Sequence, residues 1–158
     1  MNKLNERMRV ELLSVDLVGR QLPCSLSDLV AQGISEQNGC FFISALSRKK
    51  TNAVEADFQD LTGWECFINS IHIDDYVSSD YLANAFLLVM AVLDEWKCRG
   101  FDGVCQAIIS SDEFGATVKF HFLREGEFWL GDDLEGYEES VLLLDSFGSE
   151  EFLSSLFH

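Results

Sequence analysis

The chain has 158 residues, 27 acidic against 11 basic, giving a formal net charge of −16 and a pI near 4.3. Such a balance argues against nucleic acid as a ligand, because that binding draws its affinity from Lys and Arg neutralising phosphates. A 47% hydrophobic content, 12% aromatics and one proline, Pro23, describe a packed domain, expected as a single unit over 1–158, rather than a disordered acidic tail.

Charges at Lys3, Glu6, Arg7, Arg9, Glu11 and Asp16 interrupt any apolar run long enough for a signal-peptide core, so a cytoplasmic protein is expected. Over residues 1–19 the apolar positions fit a strand (Met8, Val10, Leu12) and a helix (Leu4, Met8, Leu12, Val15) equally, and the element stays open. Ser25 before Leu26-Ser27-Asp28-Leu29-Val30, with Gly33 after, predicts a short capped helix. Cys40 to Leu46 is aromatic and β-branched, which predicts a strand; Arg48-Lys49-Lys50 beyond it is the basic cluster of the chain.

Thr62-Gly63-Trp64-Glu65 has capping-box spacing and favours a helix through Ile71, yet Cys66–Ile73 also alternates acceptably for a strand; both remain open over 63–76. From Asp80 to Arg99 the reading is firmer. Ser79 is positioned to cap, Lys97 and Arg99 suit the negative helix end, and Gly100 sits where a left-handed cap belongs. Leu82, Ala85, Phe86, Val89, Val92, Leu93 and Trp96 repeat at three and four, and Leu87, Leu88, Met90 and Ala91 carry the apolar surface round the other side. Such a helix must be central. Its apolar run, Leu82–Leu93, falls well short of the roughly 20 residues needed to cross a bilayer, so no membrane contact is expected.

Val104–Ser110 and Ala116–Arg124 predict antiparallel strands joined by Ser111–Gly115, and the second alternates Ala116, Val118, Phe120, Phe122 against Thr117, Lys119, His121, Leu123. Glu125-Gly126 predicts a tight turn into Glu127–Leu130, and Ser140–Asp145 a further strand. The fold class is α+β: N-terminal helices, one of them long and central, packed on a mainly antiparallel C-terminal sheet.

Cys24, Cys40, Cys66, Cys98 and Cys105 are odd in number and form no C-x-x-C pair, which predicts free buried thiols and no zinc site. The common nucleotide, hydrolase and metalloprotease signatures are absent, and neither an enzymatic activity nor a cofactor is expected. A small enzyme built on His72, His121 and the carboxylates Asp74 and Asp75 is the alternative, with a surface position expected for His121. An acidic nucleic-acid mimic is a further one.

Charge grows along the chain, from +2 over residues 1–50 to −7 over 51–100 and −11 over 101–158. Its densest stretch is Asp132-Asp133-Leu134-Glu135-Gly136-Tyr137-Glu138-Glu139, next to Trp129, and it lacks the alternation of a calcium loop. These carboxylates, with Tyr137 and Trp129, form a candidate docking surface for a basic partner, extended by Asp74-Asp75-Tyr76 where the loops share a side.

The segment Arg124-Glu125-Gly126-Glu127-Phe128-Trp129-Leu130, the acidic run after it and the Val141 strand, together with Phe67–Tyr76, resembles small bacterial immunity proteins. The resemblance is to those paired with contact-dependent inhibition and other polymorphic toxins, and spans about half the chain. It implies a cytoplasmic, non-enzymatic protein that binds a cognate toxin C-terminal domain, in many such systems a nuclease with a basic cleft. No individual functional residue carries over, since such families hold no catalytic motif.

Overall fold

The computed structural model describes residues 2–157. Its elements run β1 (Lys3–Leu4), α1 (Glu6–Leu12), α2 (Cys24–Ala31), β2 (Ile34–Gln37), β3 (Cys40–Ile43), α3 (Ser44–Ser47), α4 (Leu61–Ile68), β4 (Ser70–His72), α5 (Tyr81–Arg99), β5 (Cys105–Asp112), β6 (Gly115–Phe122), β7 (Ser140–Asp145) and α6 (Ser149–Leu156). Five strands form one sheet in the order β1-β7-β5-β6-β4, every pair antiparallel, and β2-β3 is a separate hairpin. The expected α+β architecture with a central long helix is what the chain adopts.

Register explains the sheet's two faces. Leu4, Leu142, Ile109, Val118 and Ile71 lie opposite one another across all five strands; the last four are buried in the main core beneath α5, and the partly buried Leu4 packs against it. One residue along, the rung Lys3, Leu143, Ile108, Lys119 and Ser70 is apolar only in its middle. That second face is covered by a smaller cluster in which Cys66, Leu134, Val141, Leu130 and Tyr137 join Ile108 and Leu143. Complete burial of a Leu, Ile or Phe side chain contributes about 1.5–3 kcal/mol, so the α5 face carries most of the hydrophobic stabilisation.

Both open segments contain both kinds of element. Near the N-terminus a two-residue strand is followed at once by α1, capped by the Asn5 side chain, which accepts from the Met8 amide. Helix α4 occupies 61–68 and strand β4 follows directly, so neither single reading held for 63–76. The capping box does not form: Asp60 is the cap and accepts from the Gly63 amide, while Thr62 and Glu65 are buried. Similarly, α2 begins one residue before Ser25, whose hydroxyl donates to the Tyr76 carbonyl. Helix α5 enters through Asp80 in the left-handed region without a side-chain cap, so Ser79 does not serve. It ends at Gly100, also left-handed, as expected.

Strand Cys40–Leu46 stops at Ile43, where the chain turns into α3, and its partner β2 went unread. The link between β5 and β6 is shorter than expected, with pairing continuing to Asp112 and Gly115. Glu127–Leu130 forms no strand; it is irregular backbone laid over the second face. Helix α6 also went unread, and its Phe157 neighbour packs edge-on against Phe86 of α5, ring centres 5.4 Å apart.

Two side chains one turn apart on α4 join the hairpin to the main sheet. The Glu65 carboxylate accepts from the Phe41 amide of β3 (2.6 Å), the Phe122 amide of β6 (3.0 Å) and the Arg124 guanidinium (2.6 Å). Asn69 accepts from the Ile43 amide and donates to the carbonyls of Phe41 and Phe120. Arg124→Met would strand the fully buried Glu65 charge and is expected to destabilise the protein by about 3–5 kcal/mol. Urea unfolding measures this, and a loss below about 1 kcal/mol would show that the carboxylate is not held by its arginine.

Candidate docking site

The acidic run 132–139 separates into anchored and displayed groups. Asn5, only 1% exposed, donates to the carbonyls of Leu134 and Glu139 and accepts from the Met8 and Val141 amides, tying the run to α1 and β7. Asp133 accepts from the Glu135 amide, and both Glu135 carboxylate oxygens accept from the Glu6 amide, at 2.9 and 3.0 Å. That places a negative charge at the positive end of α1. The Tyr137 hydroxyl accepts from the Gly131 amide while its ring packs into the second cluster. Asp133, Glu135 and Tyr137 therefore hold the loop's shape.

Trp129 and Asp132 lie over the second sheet face. They line a small groove of about 200 Å³ with Lys3, Gln106, Leu123, Phe128 and Leu143. The Lys119 ammonium sits 5.6 Å from the Trp129 ring centre, and Lys3 donates to the Asp132 carbonyl. Burial, the largest effect, lowers the Lys119 pKa from its ordinary 10.5.

Glu138 and Glu139 face the other way, into an open groove of about 820 Å³ between α1 and the β5–β6 hairpin. Glu6, Arg7, Val10 and Glu11 form one wall and Asp112, Glu113 and Phe114 the other, with Ser111 and Ser140 between them. Among the described residues Arg7 is the one cation lining it, against six carboxylates. A second groove of about 280 Å³ shares Ser111, Asp112, Phe114 and Glu139 and adds His72, Asp74 and Thr117. Asp74 thus joins the main acidic surface, and it lies so close over Gly115 that a Cβ there would come within 2.5 Å of its carboxylate. Asp75 and Tyr76 line a further groove with Ser78 and Asp80, which Asp74 also borders, and Tyr76 there accepts from the Lys49 ammonium of the basic loop.

Sequence reasoning missed Glu6, Glu11, Asp112, Glu113 and Phe114. Residues 6, 7, 10 and 11 share a face only once 6–12 is known to be helical. Phe114 did offer a signal: an aromatic residue inside an otherwise polar hairpin tip, 78% exposed in the structure.

The two histidines stay apart. His72 is exposed, its Nδ1 3.2 Å from the Thr117 hydroxyl, whereas His121 lies four residues further along β6, about 13 Å at 3.3 Å per residue. His121 is also buried, contrary to the surface position expected for it, because the irregular 125–139 segment and α4 cover that face. Among the described residues no group of three His, Cys, Asp or Glu side chains is arranged to hold a metal ion. Burial pushes the Cys40 thiol up to about 11 and Cys66 to about 12, and raises Cys105 as well. All three are held in the protonated, poorly nucleophilic form. Cys24 and Cys98 are exposed, which departs from the buried thiols expected at those positions.

With this geometry in place, comparison with known sequences gives one family, whose model, that of the Uncharacterized protein PM0498 family, matches residues 3–153. The chain belongs to that family. Uncharacterized protein PM0498 of Pasteurella multocida (strain Pm70) is 32% identical over 137 residues, 80% of either chain. No solved structure matches. The family match runs from β1 into α6, so both walls of the 820 Å³ groove lie inside it. Among the described residues no helix is long and apolar enough to cross a membrane.

His121 supplies a pH dependence. Gln106 donates to Asp145 and turns its carbonyl oxygen to His121 Nε2 at 3.0 Å, while Nδ1 lies 3.0 Å from the Phe122 carbonyl. Burial lowers its pKa from the ordinary 6.5, outweighing the Phe122 carbonyl and Glu65, which favour the charged ring. The unfolded chain then takes up this proton first, so stability falls as pH drops from about 7 through 6.5 toward the folded value. Denaturation midpoints at pH 7.5 and 5.5 should differ less in His121→Gln than in the parent protein. An unchanged difference would assign the pH dependence to other groups.

Proposed function

We propose that the protein is a cytoplasmic immunity protein, a non-enzymatic binding module that neutralises a basic cognate toxin domain, a nuclease above all, by docking it against the α1–hairpin groove. The observation that carries this reading is the convergence of Glu6 and Glu11, Asp112 and Glu113, and Glu138 and Glu139, from three separate stretches of chain, around the exposed Val10 and Phe114. Mutual repulsion opposes gathering like charges in this way, and a cationic cavity with an apolar part relieves it. An inhibitor of a toxin acting inside the cell also gains from rapid capture, which such a field promotes. The interspersed apolar side chains suit a protein partner better than an extended row of phosphate-like charges would.

The test pairs the protein with the C-terminal domain of a large secreted effector encoded beside it. Capture of that domain should slow steeply with added salt. Replacing Asp112 by Asn, which keeps the oxygen that holds the hairpin tip, and Glu113, Glu138 and Glu139 by Ser should reduce the association rate by on the order of 10–100-fold at low ionic strength while leaving the unfolding midpoint nearly unchanged. Cells producing the toxin domain should lose protection in parallel. Undiminished protection and an unaltered association rate in the fourfold variant would remove this surface from the binding reaction.

A further inference from the structure

We infer that the partner's anchor in this groove is an arginine side chain, stacked on Phe114 and forked by the neighbouring carboxylates. The inference rests on the docking reading above and adds the chemistry of the group received. Three observations lead to it.

First, Phe114 stands at the tip of the β5–β6 hairpin, lines both grooves, and is 78% exposed. Among the described residues no other ring and no cation lies against it, whereas Lys49, Arg99, Lys119 and Arg124 each lie near an aromatic ring elsewhere. Its ring faces are open to a planar cation.

Second, the carboxylates around it have spare acceptor capacity. One Asp112 oxygen accepts from the Phe114 and Gly115 amides, which fixes the tip and leaves the other oxygen outward. The side chains of Glu113, Glu138 and Glu139 make no hydrogen bond or ion pair among the described residues.

Third, the floor between the walls holds a hydroxyl that is unpaired and open to the groove. Ser140 and Ser111 lie opposite each other in the β5–β7 register, and Ser140 donates to Glu11 at 2.8 Å. Ser111, only 7% exposed, lines both grooves, and its hydroxyl makes no hydrogen bond among the described residues. Among the described residues no buried side-chain oxygen lacks a partner, so the Ser111 hydroxyl opens to the groove, where an arriving N–H can donate to it.

An ammonium could meet the carboxylates, but its compact, strongly hydrated charge gains less from an open ring face. A guanidinium offers a flat surface for Phe114 together with five N–H donors, enough to reach two carboxylates and the Ser111 hydroxyl at once. A bare divalent cation is disfavoured, since among the described residues no three such ligands converge.

Acetylated, amidated hexa-arginine and hexa-lysine peptides, titrated into the full-length protein and followed by backbone amide NMR, provide the test. The arginine peptide should bind at least about fivefold more tightly and shift the amides of Ser111, Asp112, Phe114 and Glu139. Phe114→Ala should abolish that preference and Ser111→Ala should weaken the arginine peptide a few-fold, while Phe128→Ala, an exposed ring elsewhere, should change nothing. Equal affinity for the two peptides, or a preference that survives Phe114→Ala, would overturn the arginine anchor. The docking reading is independent of that result, because it stands or falls with loss of toxin capture in the fourfold variant.

Discussion

A single buried carboxylate decides how the two β units of this protein meet. Glu65 is completely buried, and its two oxygens accept from β3, from β6 and from Arg124. An ionised group there would be prohibitively costly without such partners, so its position fixes three segments relative to one another. Asn69, one helical turn later, repeats the arrangement with neutral groups. Together they take the place of the ladder that β3 and β6 do not form with each other. Phe41, tied at both its amide and its carbonyl, can then set its ring among Trp96, Phe101 and Phe122, with centroids 4.8–5.2 Å away. Polar satisfaction on one side of the strand thus positions aromatic packing on the other.

Asn5 does the same for the candidate site. A loop with as many carboxylates as 132–139 would not lie close against the protein by hydrophobic burial alone. Leu134 supplies an apolar foot, buried to 5% exposure, and the Asn5 amide holds the backbone on either side of it. Glu135 then adds charge compensation at the start of α1. The consequence is orientation. With the middle of the loop pinned, Glu138 and Glu139 emerge on the side of α1 and the hairpin, while Trp129 and Asp132 remain over the second sheet face. One stretch of sequence therefore feeds two surfaces of different character.

Much of the fold was legible because local and tertiary preferences agreed. The long apolar helix and its glycine cap, the alternation of β6 and the Val-Leu-Leu-Leu strand each had burial and propensity acting in the same direction. The failures have a common physical origin in polar side chains used over long range. Thr62 and Glu65 have the spacing of a local cap, but Glu65 is worth more paired with Arg124, 59 residues away, and Asp60 caps instead. His121 reads as a surface residue from its polar neighbours in sequence, and only the loop folded over that face reveals its burial. The same limitation applied to the acidic surface. Composition pointed to residues 132–139, but which carboxylates are displayed depends on hydrogen bonds to Asn5 and Glu6, more than a hundred residues away. No local pattern encodes those contacts, and the hairpin carboxylates that complete the groove carried no signal beyond one misplaced aromatic.

Charge and architecture finally bear on each other through the free state. Among the described residues six carboxylates and one arginine line the groove, and repulsion between neighbouring charges there is screened by salt only beyond about 8 Å at physiological ionic strength. The fold tolerates this because the groove walls are held largely apart from the charges: α1 by Met8 and Leu12 in the main core, the hairpin by an unbroken ladder to Asp112 and Gly115, and β7 by its place between β1 and β5. None of those supports is weakened by removing the charge of Glu113, Glu138 or Glu139, whose side chains make no hydrogen bond or ion pair among the described residues. A surface arranged in this way stores unfavourable interaction in the unbound protein without loosening its frame, and the cationic partner proposed above would recover that energy on association with little reorganisation. Under the proposed docking reading, preorganised repulsion of this kind would speed encounter with a basic protein and penalise acidic competitors.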